Sequence, residues 1–412
     1  MTSASQSLPS VLICGGGIAG NAVALQLTRA GFRVTVVERA PAPRPGGQAV
    51  DLRGPSRDVA ERMGLMPGIR DHQLDERGMV FVGDDGRELL RMPAEMFGGN
   101  GVVADIEITR GDLNQVLLDA IGAAGGELDY RYDEWVKDLR QQPSGVEVTF
   151  ASGAGARFDL VVGADGVHSA TRRLVFGAED EFATYLGGYM SFFTVPTPAG
   201  IDPHWFAMHS VPGASNVGLR ADFDPATSKA VVMIRMPADP ALRRDTDAQQ
   251  TLIRERLAEA GWEAPAILDA MAVTPDFYFD ELARIDMPSW SEGRVTLLGD
   301  AGYCGSPLSG QGTAMALVGA YVLAGELAAT PDDPARALAR YEEVLRPFVA
   351  EAQKLAPGGL RSMTPKSRLG IRAGRMVSKL MMSRLMQPVM AKAMAKTESY
   401  SLPEYASAPV TE

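Results

Sequence analysis

The chain has 412 residues, 46% of them hydrophobic and 22% charged, with a net charge of −11. That length can bury a large core and suits two domains, and the acidic balance excludes a general binder of nucleic-acid phosphates. Only Cys14 and Cys304 are present, which excludes a disulfide framework and fits a reducing, cytoplasmic setting. Residues 1–10 lack the basic and apolar parts of a signal peptide, and no stretch is expected to make a membrane span.

The first predicted element is the apolar run Val11-Leu12-Ile13, which leads into Gly15-x-Gly17-x-x-Gly20. A helix is expected over 21–30 and a second strand over 33–37, ending at Glu38. This is the pattern of a dinucleotide site. Gly15 permits the tight turn, Gly17 lets a pyrophosphate approach the backbone, and Gly20 lets helix and strand pack closely. Glu38 falls about twenty residues on, where a carboxylate can accept ribose hydroxyls.

A Pro-rich connector follows, and residues 56–65 have near-helical spacing. Residues 79–90 read as a hairpin with Asp85-Gly86 at its turn. A helix is expected over 111–124, then short strands at 127–132, 135–140 and 146–150. The strand 158–162 runs into GADGVHSATR. Over 182–280 aromatic and β-branched residues alternate with Pro and Gly, as in an antiparallel sheet with long connections. Helices are expected at 247–260 and 263–272, and a strand at 294–298 leads into GDAGYCGSPLSGQGT. An apolar helix covers 311–329, and 335–400 is largely helical. The Met-rich run 376–394 is read as a helix bracing the body; the alternative is a membrane-surface or partner-binding helix.

Two of these motifs carry a physical argument of their own. Asp300 ends a strand beside a helix, where its carboxylate can accept sugar-chain or pyrophosphate-adjacent hydroxyls of a bound nucleotide. The amides of Gly310, Gln311, Gly312 and Thr313 open a helix and can face a ring edge that gathers negative charge. Pro307 can pack beside such a ring. There is no second Gly-x-Gly-x-x-Gly after a strand and no Cys-x-x-Cys. His72, His168, His204 and His209 show no metal spacing, so no metal is expected.

The three ordered motifs resemble the class A flavoprotein monooxygenases, built on the para-hydroxybenzoate hydroxylase fold, and within them the tetracycline-inactivating flavin monooxygenases. The resemblance implies an α/β protein: a Rossmann-like FAD-binding domain, an inserted antiparallel β-sheet substrate domain and a C-terminal helical region. The implied division is 1–78, 101–180 and 276–330 for FAD, 79–100 and 181–275 for substrate, and 331–412 for the terminal helices. It also implies FAD contacts from Arg39, Asp51, Arg53 and Arg110, and a role for Asp165 and Gly166 toward both FAD and the nicotinamide nucleotide. Arg44 matches an arginine that meets the phosphate of NADPH. Tyr303 stands where the family commonly has His in Gly-Asp-Ala-Ala-His, so no role of that His is carried over.

The implied activity is NAD(P)H-dependent hydroxylation of an aromatic or polyketide-type molecule with O2, through a flavin C4a-hydroperoxide, the FAD being non-covalent. A reductase or oxidase of the same fold and a non-catalytic flavin-containing binding protein are the alternatives. Within the strand at 189–195, Met190 and Phe192 share the face expected to meet substrate. Met208, His209 and Arg220 are further candidates. No nucleic-acid partner is expected, and a monomer is favoured.

Overall fold

The run Val11-Leu12-Ile13 lies in a strand, Ser10–Cys14, that is buried on both faces, as the interior of a parallel sheet requires. In the computed structural model, which describes residues 9–97, 103–381 and 400–405, it pairs in parallel with Arg33–Glu38 on one side and Leu160–Gly163 on the other. Leu128–Tyr132 and Val295–Leu297 extend the sheet, and Ser291–Glu292 adds an antiparallel edge. In space the five parallel strands lie third, second, first, fourth, fifth by chain order. The order reverses between Ser10–Cys14 and Leu160–Gly163. Ligands of open α/β sheets bind outside the strand ends at such a reversal.

The two faces of this sheet are covered differently. Val11 and Ile13 pack with the helices Ile18–Arg29, Arg110–Ala124 and Gly312–Ala329. Leu12 and Cys14 point the other way, into a three-stranded meander formed by Val136–Gln142, Gly145–Phe150 and Gly155–Phe158. The helix Gly312–Ala329 is long and apolar enough to cross a membrane, contrary to the sequence expectation. It is apolar all round because it is wrapped on every side by the core of the FAD-sheet domain, where it packs against Ile18–Arg29 and Pro334–Ala352.

The second sheet has seven strands, in the order Tyr278–Ile285, Ala183–Pro196, Thr227–Arg235, Ser215–Ala221, Phe206–Val211, Gly78–Val82, Glu88–Pro93. The predicted hairpin around Asp85-Gly86 thus joins a sheet formed mainly from residues far along the chain, through a parallel pairing with Phe206–Val211. The strand Tyr278–Ile285 belongs to this sheet, which corrects the division at 275/276. Its pairing with Ala183–Pro196 decides the matter, and pairing across almost a hundred residues leaves no local signal.

Alternation along these strands creates two faces. Phe193, Val195, Val217, Leu219, Val232 and Ile234 point outward, against the helices Thr246–Leu257 and Ala264–Met271. The opposite, inner face carries Met190, Phe192, Phe206, Met208, Val231 and Met233, and these pack with Leu308 of the Pro307–Ser309 turn. The inner face therefore looks toward the dinucleotide sheet.

The C-terminal part forms helices Pro334–Ala352, Leu360–Met363 and Arg368–Met381. Residues 400–405 return to the core, where Tyr400 packs on Phe348 and the Tyr405 hydroxyl donates to Glu326 at 2.9 Å. The larger part of the Met-rich run 376–394 lies outside the described residues.

Candidate active site

Three segments converge at the sheet reversal. Gly15 adopts a φ of +108°, and a Cβ there would lie 2.4 Å from the Ala164 carbonyl oxygen. Gly299 approaches the first helix so closely that a Cβ would meet that of Ala19 at 2.9 Å. The glycine loop, the GADG turn and the Gly299-Asp300 turn thus form one crevice. Gly20 packs as expected, since a Cβ there would stand 1.9 Å from the Gly15 carbonyl oxygen.

The crevice is shaped for an anion with room around it. Gly17 caps the helix Ile18–Arg29, whose first amides point into the opening. A Cβ on Gly17 would find its nearest neighbour, the Arg110 guanidinium, only at 3.9 Å. Arg110 is exposed, and its side chain has no hydrogen-bond or ion-pair partner among the described residues. Gly166, Gly310 and Gly312 each face open space. A helix N-terminus and an unpaired arginine side by side match the chemistry of a pyrophosphate. Asp300 is partly buried in the same crevice, where desolvation pushes its carboxyl above the ordinary range while Arg110 and the Cys304 thiol pull it down.

Other expected residues are engaged with protein. The Glu38 carboxylate accepts from the Gly16 amide at 2.7 Å and the Ala40 amide at 2.8 Å, so it closes the glycine loop. Arg39 lies over the Trp135 ring at 5.4 Å. Asp51 is paired with Arg53. Asp165 accepts from Ser169 and from the Thr171 amide and hydroxyl, which fixes the GADG turn to the helix Ala170–Val175. Pro307 and Gly310 are exposed beside the opening, Gln311 is partly exposed there, and Thr313 is buried in the first turn of its helix. Arg44 is exposed on a loop that is held to the helix Arg110–Ala124 by Gly111 N–H to the Gly46 carbonyl at 2.6 Å and Arg110 N–H to the Gln48 carbonyl at 3.0 Å.

Two of the substrate candidates are corrected. His209 faces outward: its Nδ1 lies 3.2 Å from the Val82 carbonyl oxygen and its ring packs near Trp262. It follows Met208 in a strand, so the two cannot share a face. Arg220 is on the inner face but is clamped by Glu76 (Nε to Oε1, 3.2 Å) and Glu107 (Nη2 to Oε2, 3.2 Å), both buried. Met190, Phe192 and Met208 remain on the inner face.

Sequence reading missed several residues that shape the crevice. Arg172, fully buried, donates to the carbonyls of Ala301 at 2.9 Å and Val167 at 2.7 Å, tying the GADG turn to the Asp300 turn. The arginine of the GADGVHSATR run was its only signal. Tyr278 donates to Asp280 at 2.9 Å, and His168 reaches Asp280 through Nε2 at 3.1 Å and Glu179 through Nδ1 at 3.0 Å. Those hydrogen bonds, Asp280 first and then Glu179, hold the His168 imidazolium up to about 10 against desolvation. The folded-state value is raised, so the stabilisation is complete below the ordinary histidine range and is lost as pH rises through about 10. An NMR titration of the histidine rings is expected to show one that stays protonated beyond pH 9 (about the upper working limit) and disappears in His168→Gln. Four ordinary midpoints near 6.5 would refute the bridge.

Tyr303 is structural. Its hydroxyl meets that of Tyr341 at 3.0 Å, Tyr341 donates to the Leu297 carbonyl at 3.0 Å, and Trp290 packs on its ring. Gly319 makes the room, because a Cβ there would lie 2.1 Å from the Tyr303 hydroxyl. Cys304 is buried, and burial raises its thiol well above the usual range, so it is no nucleophile at neutral pH.

A reversal-point crevice with a helix N-terminus, an exposed arginine and a partly buried aspartate defines a dinucleotide-binding protein of the α/β class. Residues 9–356 match the family model for the FAD binding domain. The chain belongs to the FAD-dependent monooxygenases of that family. It is 38% identical over 343 residues to a flavin-dependent monooxygenase from an unknown prokaryote, a match covering 83% of this chain and 87% of the relative. A flavin-dependent monooxygenase of Legionella longbeachae is 34% identical, with 96% and 98% covered. Among solved structures, the tetracycline destructase Tet(51) is 34% identical, covers 97% of this chain and 99% of its own, and superposes with a TM-score of 0.78. The Klebsiella pneumoniae HpxO complex with FAD and uric acid shares the fold at 21% identity and a TM-score of 0.72, with 95% and 96% covered.

Proposed function

We propose that the protein uses NAD(P)H and O2 to hydroxylate a flat aromatic or polyketide-type molecule held between bound FAD and the inner face of the seven-stranded sheet. The observation that carries this reading is that inner face. Met190, Phe192, Met208, Val231 and Met233 form an apolar floor opposite Leu308, next to the open Gly310–Gly312 turn. Such a surface favours a flat, apolar molecule over a sugar or an amino acid. The Tet(51) likeness points the same way.

Gly15, Gly17 and Gly20 hold the pyrophosphate with Arg110, while Glu38 meets the ribose hydroxyls. Asp51, which lies near the Arg220 cluster, and its partner Arg53 contact the FAD as well. Asp300 accepts from the sugar-chain hydroxyls. The amides of Gly310 through Thr313 face the flavin ring edge, with Pro307 beside it. Bound FAD, once reduced by the nicotinamide nucleotide, supplies the activation of O2 and the transfer of one oxygen atom to an electron-rich carbon. The chain's own residues orient that carbon and exclude water. The apolar floor and the Leu308 turn do both.

Arg44→Ala is expected to raise the Michaelis constant for NADPH by about ten- to hundredfold, the worth of a lost charge-assisted hydrogen bond, and to leave FAD content unchanged. Unchanged NADPH kinetics would remove Arg44 from the site. The reaction itself is tested by NADPH oxidation with a panel of polycyclic phenols under isotopically labelled O2, followed by mass spectrometry. A product heavier by one labelled oxygen is expected. Turnover without incorporation would make the protein a reductase or oxidase, and binding without turnover a carrier.

A further inference from the structure

Residues 352–397 contain ten lysines and arginines and not one aspartate or glutamate, in a chain whose net charge is −11. Positive charge is thus segregated into the C-terminal part. Within it, the helix Arg368–Met381 has three distinct sides. Ile371 is buried and turns one side to the body. Arg368, Arg372, Arg375 and Lys379 recur at helical spacing and make a basic stripe. Leu369, Met376, Val377 and Leu380 make an apolar stripe beside it, and they are 75%, 73%, 51% and 66% exposed. The bracing role read from the sequence would bury these side chains.

We propose that this helix docks on an anionic lipid surface. An apolar stripe flanked by cations is the arrangement that sinks into the headgroup and acyl boundary while its lysines and arginines meet lipid phosphates. The charge selects the partner. A second copy of this helix would bring eight like charges together, whereas an anionic bilayer neutralises four per helix. The inference does not depend on the proposed substrate.

Full-length flavin-loaded protein would be sedimented with vesicles of phosphatidylcholine, with and without phosphatidylglycerol. At low salt, partitioning onto the anionic vesicles is expected to be at least about tenfold stronger, and to weaken as salt rises. The triple variant Leu369→Glu, Met376→Glu, Leu380→Glu is expected to lose about tenfold of that binding, with flavin content and circular dichroism unchanged. Arg372→Gln with Lys379→Gln tests the charged stripe separately and is expected to lose binding to the anionic vesicles. Equal partitioning of the wild type onto both vesicles would overturn the proposal, as would wild-type binding by the triple variant. A dimer seen by ultracentrifugation that the triple variant dissolves, with no vesicle binding, would assign the stripe to a second copy instead and would also overturn it.

Discussion

Replacing Arg220 with alanine is expected to destabilise the protein by about 3–5 kcal/mol, the usual consequence of stranding buried carboxylates. Arg220 is the only cation bonded to the buried Glu76 and Glu107 among the described residues, and its guanidinium also lies over the Phe206 ring at 5.0 Å. Burial pushes Glu107 up to about 7, with Arg220 pulling it down and Glu76 and Asp51 pushing it further up. The folded chain therefore holds this proton more tightly than the unfolded chain, and stability from Glu107 declines as pH rises from the ordinary glutamate range to about 7. Without Arg220 that decline extends further toward alkaline pH. Urea denaturation should show the deficit at its largest near pH 8 and reduced near pH 5, to about the extent that the carboxylates take up protons. A deficit under about 1 kcal/mol at pH 8 would mean that the cluster does not depend on Arg220.

Asp300→Ala is expected to weaken FAD binding by about thirty- to hundredfold, or 2–3 kcal/mol, with native far-ultraviolet circular dichroism. The variant leaves FAD hydroxyls facing a methyl group, while the crevice itself is shaped by backbone turns. The apoprotein of Asp300→Asn is expected to behave differently from the wild type in stability. Desolvation raises the Asp300 carboxyl, against Arg110 and Cys304, so holding the ionised group in the empty crevice costs stability. That cost is absent at low pH and appears as pH rises through and above the ordinary carboxylate range. The Asn apoprotein should therefore match the wild type in acid and melt higher at neutral pH, while binding FAD worse at neutral pH. Full FAD affinity in the alanine variant would show that the Gly299-Asp300 turn does not meet the cofactor.

Much of the crevice was legible because its determinants are local. Val11 to Glu38 carries strand, glycine turn, helix and strand within one short stretch, and each step has its own periodicity or turn residue. That Met190 and Phe192 share one face was legible from alternation alone, though not which side that face turns to. Alternation also forbids Met208 and His209 from sharing a face, and applying it would have removed His209. Arg220 could not be resolved in this way. Its partners Glu76 and Glu107 lie 144 and 113 residues away, and only the assembled sheet brings them together. The same holds for the strand Tyr278–Ile285, whose apolar and charged residues give no sign of which sheet they join. The helix Gly312–Ala329 misled in another sense, since a helix buried on all sides and a membrane helix have the same composition.

The contact between Tyr303 and Gly319 bears on how such a protein could have arisen. A tyrosine at 303 needs a hydrogen atom, not a methyl group, at 319, because even an alanine Cβ would overlap the phenol oxygen. From a starting point with histidine at 303 and a larger residue at 319, tyrosine could not enter first without jamming two core elements together. Glycine at 319 had to come earlier, or in the same step. Tyr341, whose hydroxyl would lose one of its two partners to a plain apolar side chain at 303 and keep only the Leu297 carbonyl, ties a third position to the same history. Exchanging residue 303 alone between this chain and a relative is therefore a biased experiment: tyrosine put into a background without glycine at 319 should fail, while histidine put into this chain should leave a hole beside Trp290.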